Sequence, residues 1–235
     1  MMFRNLVTSL TINFKIQNRN GFYYATLFML VVSIFLLQFL DLSLKIRFLP
    51  LMITTNIISA TGGFLAILVL FEKQEKSYYA LLVTPMSNNI YLVSKIFILT
   101  ILSLVEGLGL FFFSIDNHSN IVYVGLGITF FSIIYCLLGY SLALWYSNFN
   151  EIIFPLVGLM ILVSLNLFLQ LAGISNPLLV IFPGFAPFQL IYEGINLTIT
   201  FGHVITYIFL SIFWIMLFYY LSKRVFNRFI VELEV

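Results

Sequence analysis

The sequence predicts an all-α integral membrane protein, and three observations carry that prediction. Hydrophobic residues make up 62% of the 235-residue chain and charged residues 9%, with a mean hydropathy of +1.09. An average soluble domain is roughly half apolar and a quarter charged. Six separate stretches are nearly free of charge and reach the length of about 20 residues at which a helix crosses a bilayer. None alternates apolar with polar residues as a membrane barrel strand does. Helices, which satisfy their own backbone in hydrocarbon, are therefore the viable form. A soluble globular domain is excluded. The expected architecture is six transmembrane helices, an N-terminal interfacial helix, a cytoplasmic helix between the second and third spans, and a re-entrant outer segment before the last span.

Residues 1–20 form the leader. Phe3, Leu6, Val7, Leu10 and Phe14 share one helical face while Arg4, Asn5, Ser9 and Lys15 lie elsewhere, the pattern of a helix lying along the inner leaflet or of an ordinary amphipathic tail. Asn13, Lys15 and Arg19 interrupt it before the first long apolar run, so it does not read as a cleaved signal peptide. The spans follow at residues 22–40, 51–71, 96–115, 121–145, 152–172 and 203–222. In the second, Thr54, Thr55, Asn56, Ser59, Thr61, Gly62 and Gly63 make a poor surface for lipid. They suit an interface or pathway, or ordinary close packing through small residues. In the third, Glu106 is the one acidic residue well inside a span. A carboxyl there is costly and marks either a functional position or a protonated group that ties two helices together. Gly107 and Gly109 beside it would permit close helix approach.

Two connections carry further information. Residues 72–95, EKQEKSYYALLVTPMSNNIYLVSK, combine clustered charge, an apolar stripe through Tyr78, Leu81 and Leu82, and a stop at Pro85. This predicts a short helix followed by a turn; a solvated loop whose charges fix topology is the alternative. Residues 173–202 are broken by Pro177, Pro183 and Pro187 yet apolar around LLVIFPGFAPFQLIY. Too interrupted to span and too oily to be free, they predict a re-entrant hairpin or two short helices on the outer side.

Charge position orients the bundle. The net charge of +2, from 11 basic and 9 acidic residues, gives no basis for a nucleic-acid partner. Arg4, Lys15 and Arg19 precede the first span, Lys73, Lys76 and Lys95 separate the second and third, and Lys223, Arg224 and Arg228 follow the sixth. Only Lys45 and Arg47 fall on the opposite side. The positive-inside rule then places both termini in the cytoplasm.

Enzymatic motifs are missing. The chain has no G-x-x-x-x-G-K-[ST] loop to cradle nucleotide phosphates, no H-E-x-x-H zinc motif and no G-x-S-x-G elbow. Cys136 is the sole cysteine, and His118 and His203 are far apart in sequence. Neither a catalytic set, a metal site nor a resident cofactor is expected. Two competing readings remain: a membrane enzyme using Glu106 or Glu193 with a histidine, and a non-transporting membrane scaffold.

The arrangement resembles the permease subunits of ABC-2 type ATP-binding-cassette transporters. In that family the segment between the second and third spans reads as acidic residues, Gly-Thr-Leu, a Leu-Leu pair, Thr/Ser-Pro, and a lysine at the start of the third helix. Here Glu72, Glu75, Ser77, Leu81, Leu82, Thr84, Pro85 and Lys95 occupy those places. The chain departs from the pattern at Lys76, where glycine is usual, and at Tyr78, where leucine is commoner. The resemblance implies that residues 72–85 form a coupling helix received by a separate ATPase subunit, which binds the ATP. It further implies a working unit of two permeases, in the simplest case a homodimer, with two ATPases. The location would be the plasma membrane, as in a bacterial inner membrane, and the activity export of a drug-like or amphipathic, lipid-like substrate. Glu106 and Asn56 are the candidate intramembrane polar positions.

Overall fold

The computed structural model describes residues 2–75, 88–115, 120–146, 148–173 and 177–233; these are helical nearly throughout, with no strand among them. Helix α1, Met2–Arg19, and helix α2, Phe22–Gln38, meet at a bend of 63°. Gly21 sits in that bend at φ 77°, a left-handed conformation that glycine adopts without steric cost. Helix α3, Leu42–Ile58, runs through a π turn at Ser59–Gly63 into α4, Phe64–Gln74. Then come α5, Asn88–Ser114, α6, Ile121–Trp145, and α7, Phe149–Leu171. A 3₁₀ turn at Pro177–Ile181, α8 at Phe185–Asn196 and α9 at Phe201–Leu233 complete the order.

Among the described residues, four helices are long and apolar enough to cross a membrane: Leu42–Gln74, Asn89–Ser114, Ile121–Trp145 and Phe201–Arg228. The bent pair of α1 and α2 makes a fifth if it counts as one span. Six were expected, and four or five candidate spans stand among the described residues. Helix α2 alone has 17 residues, about 26 Å of rise, a little short of the roughly 30 Å hydrocarbon core. The expected span at 152–172 falls in α7, which runs 23 residues from Phe149 to Leu171.

The helices extend beyond the expected spans. The helix that holds the start of the expected second span begins at Leu42, with Pro50 inside it. Thr54 Oγ1 donates to the Pro50 carbonyl at 2.8 Å. The helix that holds the expected third span begins at Asn88, and the one that holds the sixth runs to Leu233. Hydropathy marks where a helix can meet lipid, whereas a helix ends only where its backbone is stopped, and the flanking residues contain no such stop.

Helix α6 is the hub, packed against α4, α5, α8 and α9. It is apolar on all sides, as a helix surrounded by protein requires. Glycines allow its close contacts. A methyl group built on Gly139 would lie 2.2 Å from the Gly62 carbonyl oxygen in the π turn, and one on Gly127 would lie 2.8 Å from the Pro187 carbonyl oxygen of α8. Pro187 itself occupies the first turn of α8, where its missing N–H costs no hydrogen bond.

Two apolar clusters divide the interior. One gathers Leu49, Ile53, Phe111, Ile128, Phe188 and Ile191. The other gathers Leu70, Tyr91, Leu99, Leu144, Ile152 and Phe226. The second cluster therefore collects the C-terminal portions of α4, α6 and α9 with the starts of α5 and α7, an end of the bundle referred to below as the Glu72 end. Helix α8 and the start of α9 lie at the opposite, Glu193 end.

Candidate functional site

At the Glu72 end, the last turn of α4 is locked to the second turn of α5. Glu72 Oε1 accepts from Lys95 Nζ at 2.6 Å, and Tyr91 Oη donates to Glu72 Oε2. Lys95 is completely buried, with its ammonium 4.7 Å from the Tyr91 ring centroid. A buried ammonium is tolerated only when paired and hydrogen-bonded, and this carboxylate supplies both. The adjacent Lys73 turns the other way. Its Nζ donates to the carbonyls of Ala143, Leu144 and Tyr146 at 3.2, 3.2 and 2.8 Å, capping the C-terminus of α6 with a cation where the helix dipole favours one. Of the predicted coupling residues, Glu72 is in this lock and Glu75 is exposed just past α4. Ser77, Leu81, Leu82, Thr84 and Pro85 lie outside the described residues.

Between the two apolar clusters runs a polar belt. Asn56 Nδ2 of α3 donates to Ser33 Oγ of α2 at 2.9 Å, both residues buried. On α5, Thr100, Ser103 and Glu106 recur every third residue and all face inward. Ser103 Oγ donates to the Thr100 carbonyl at 2.9 Å, and Ser132 Oγ of α6 donates to Thr100 Oγ1 at 3.1 Å. Glu106 is 2% exposed, and neither carboxyl oxygen has a hydrogen-bond partner among the described residues. The backbone beside it is tightly held. A methyl group on Gly107 would fall 2.8 Å from Ile128 and 3.3 Å from Ile53, and one on Gly109 would fall 3.0 Å from Leu30. Helices α2, α3 and α6 thus all approach α5 next to this carboxyl.

The leader has an unusual polarity. Ser9, Asn13 and Gln17, spaced by four, form its buried stripe, whereas Val7, Ile12 and Phe14 are exposed. Ser9 Oγ and Asn13 Nδ2 both bond Ser94 Oγ of α5, at 2.7 and 2.8 Å. A helix in water turns its apolar face inward; α1 does the reverse. The pattern Phe3, Leu6, Val7, Leu10, Phe14 identified the apolar face but not which way it points.

At the Glu193 end, Glu193 Oε2 contacts His203 Nδ1 at 2.9 Å and Glu193 Oε1 accepts from Tyr207 Oη at 2.6 Å. The His203 side chain is 54% exposed. Sequence reasoning had paired Glu193 with a histidine as one alternative, and the structure does bring them together. It missed Tyr207, Lys73, Tyr91 and the Thr100–Ser132 contact. Only the three-residue spacing of Thr100, Ser103 and Glu106 could have signalled the belt. No group of His, Cys, Asp and Glu that could hold a metal ion occurs among the described residues.

The fluoroquinolones export permease protein family matches residues 4–234, almost the whole chain. The protein belongs to that family. Membership makes it a membrane permease of an export system, consistent with its long apolar helices. No curated protein and no solved structure matches the chain.

Proposed function

We propose that this permease is the membrane half of an ABC-2 type exporter that moves fluoroquinolone-like, amphipathic drugs out of the cell, driven by ATP hydrolysed in a separate ATPase subunit. The Glu72 end is cytoplasmic. Arg19, Lys73, Lys95, Lys223, Arg224 and Arg228 all lie on helix ends gathered there, and Lys45 and Arg47 lie on the first turns of α3 at the other, in keeping with the positive-inside rule. Helices α2 and α7 complete six spans, α1 lies in the inner interface with Val7, Ile12 and Phe14 toward lipid, and α8 forms the outer re-entrant segment. Two copies work together in a bacterial inner membrane.

The lock between Glu72, Lys95 and Tyr91 supports this reading most directly. It joins the two helices that flank residues 76–87, so a force applied to that connection by an ATPase passes without slack into α5, the helix that carries Glu106. A ligand or nucleotide can shift such a bundle between inward and outward openings only by binding the two states unequally, and a rigid lever is what converts ATPase closure into that difference.

The test is co-expression with an ABC ATPase subunit and reconstitution into vesicles. ATP-dependent movement of norfloxacin is expected. Leu82→Glu and Ser77→Arg should abolish permease-stimulated ATP hydrolysis while leaving membrane insertion intact. Normal stimulation in both variants sinks the coupling account. The hydrogen-bonded Glu193 and His203 favour a second reading, a membrane enzyme in which an oriented imidazole moves protons at the Glu193 end. Transport unaltered in Glu193→Gln and His203→Ala would dispose of it.

A further inference from the structure

We infer that Glu106 is the counter-charge for a basic amine on the cargo, so that the permease selects organic cations and zwitterions bearing an ammonium over anionic or neutral molecules of the same shape. This deepens the export reading and, for quinolones, rests on it.

The argument starts from what the bundle does with its other buried charges. Lys95 is met by Glu72, and Lys73 by three carbonyls. Glu106, equally removed from solvent, is met by no hydrogen-bond donor among the described residues. A carboxylate left unpaired in an apolar interior is among the costliest groups a protein can carry. Folding alone has no use for it, since Gly107 and Gly109 already supply the close approach of α2, α3 and α6 to α5. The remaining way to satisfy it is a donor that arrives with the cargo, and an ammonium gives charge and hydrogen bonds together.

Its position fits a route. From Lys95 to Glu106 is about 16 Å along the helix, roughly half the hydrocarbon thickness. Thr100 and Ser103 lie on the inward face between them, with Ser132 opposite. Hydroxyls at this spacing can replace water around an ammonium on its way to the carboxylate. The apolar clusters on either side of the belt suit the aromatic body of an amphipathic cation.

The experiment measures binding to the full-length permease in lipid nanodiscs with three probes: ethidium, a fixed cation; norfloxacin, whose piperazine is protonated at neutral pH; and nalidixic acid, a quinolone without a basic amine. Wild type should bind ethidium and norfloxacin at least about tenfold more tightly than nalidixic acid, the effect of one desolvated charge pair. Glu106→Gln should weaken both cations about tenfold or more and leave nalidixic acid unchanged. Glu106→Asp should retain the cation preference, and Glu151→Gln, an exposed charge on α7, should match wild type. Equal binding of norfloxacin and nalidixic acid by wild type, or unchanged ethidium binding in Glu106→Gln, overturns the inference. Should Glu106→Gln fail to fold, the wild-type comparison and Glu106→Asp still decide it. Glu106-dependent binding of ethidium with no binding of either quinolone would sustain the counter-charge and defeat the quinolone reading. No binding of any probe defeats both.

Discussion

Glu72 and Glu106 are two carboxylates on neighbouring helices with opposite fates. Glu72, at the end of α4, holds a buried lysine and a tyrosine hydroxyl. Glu106, deep in α5, is more buried still and holds nothing among the described residues. The first interaction secures the architecture, since it closes the base of the connection between α4 and α5. The second is an expense to the fold, and a group that costs stability without returning any is where function is to be sought.

The largest effect should come from breaking the lock. Glu72→Ala leaves the Lys95 ammonium buried without its counter-charge, and removing one partner of a buried pair typically costs about 3–5 kcal/mol. Thermal unfolding in detergent should shift down strongly, with loss of monodisperse protein. The double variant Glu72→Gln with Lys95→Met should recover most of that loss, because replacing both members of a buried pair by uncharged groups is often nearly neutral. If Glu72→Ala unfolded at the wild-type temperature, the lock would have no structural role.

A smaller loss is expected where α1 docks. Ser94 Oγ accepts from Asn13 Nδ2, is hydrogen-bonded to Ser9 Oγ and donates to the Tyr91 carbonyl, so Ser94→Ala removes both bonds that hold α1 and leaves Asn13 to be satisfied elsewhere. A cost of about 1–2 kcal/mol follows. It should appear as faster proteolysis at the leader before any change in the rest of the bundle, and protection equal to wild type would show that lipid, not α5, holds the helix.

How much of this was legible follows from the same physics. Apolar runs of spanning length reveal helices in the bilayer because charge is excluded there. Hence α3 with α4, α5, α6 and α9 stand where expected, and only their ends moved. Pro50 lies within α3, since a local rule about one hydrogen bond yields to the packing of a long helix. Glu106 was visible because a lone acid in hydrocarbon is conspicuous. The partner of Lys95 was not, because nothing in the spacing of residues 72 and 95 states that the last turn of α4 lies beside the first turns of α5. The orientation of α1 was equally hidden. Periodicity gives a face, but whether Ser9, Asn13 and Gln17 turn inward depends on Ser94, which belongs to another helix.

For Glu106 the sign should reverse. Glu106→Gln or Glu106→Leu removes an unsatisfied acid from the interior without taking a partner from any described group, so unfolding should be unchanged or shifted upward, by an amount on the order of 1 kcal/mol. A destabilisation comparable to that of Glu72→Ala would mean the carboxyl is a structural tie, and the distinction between the two residues would vanish.

The smallest effect belongs to the opposite end. Glu193 joins α8 to α9 through His203 and Tyr207, but the imidazole is 54% exposed, and ion pairs open to solvent are worth about 0–1 kcal/mol because water and salt screen them. Glu193→Gln keeps one acceptor oxygen for Tyr207 and gives up the charge and the oxygen that faces His203, so the unfolding temperature should fall only slightly, and less at high salt, where the Debye length contracts to about 3 Å. A salt-independent loss as large as that for Glu72→Ala would place a second structural lock at this end and remove the asymmetry between the two ends of the bundle.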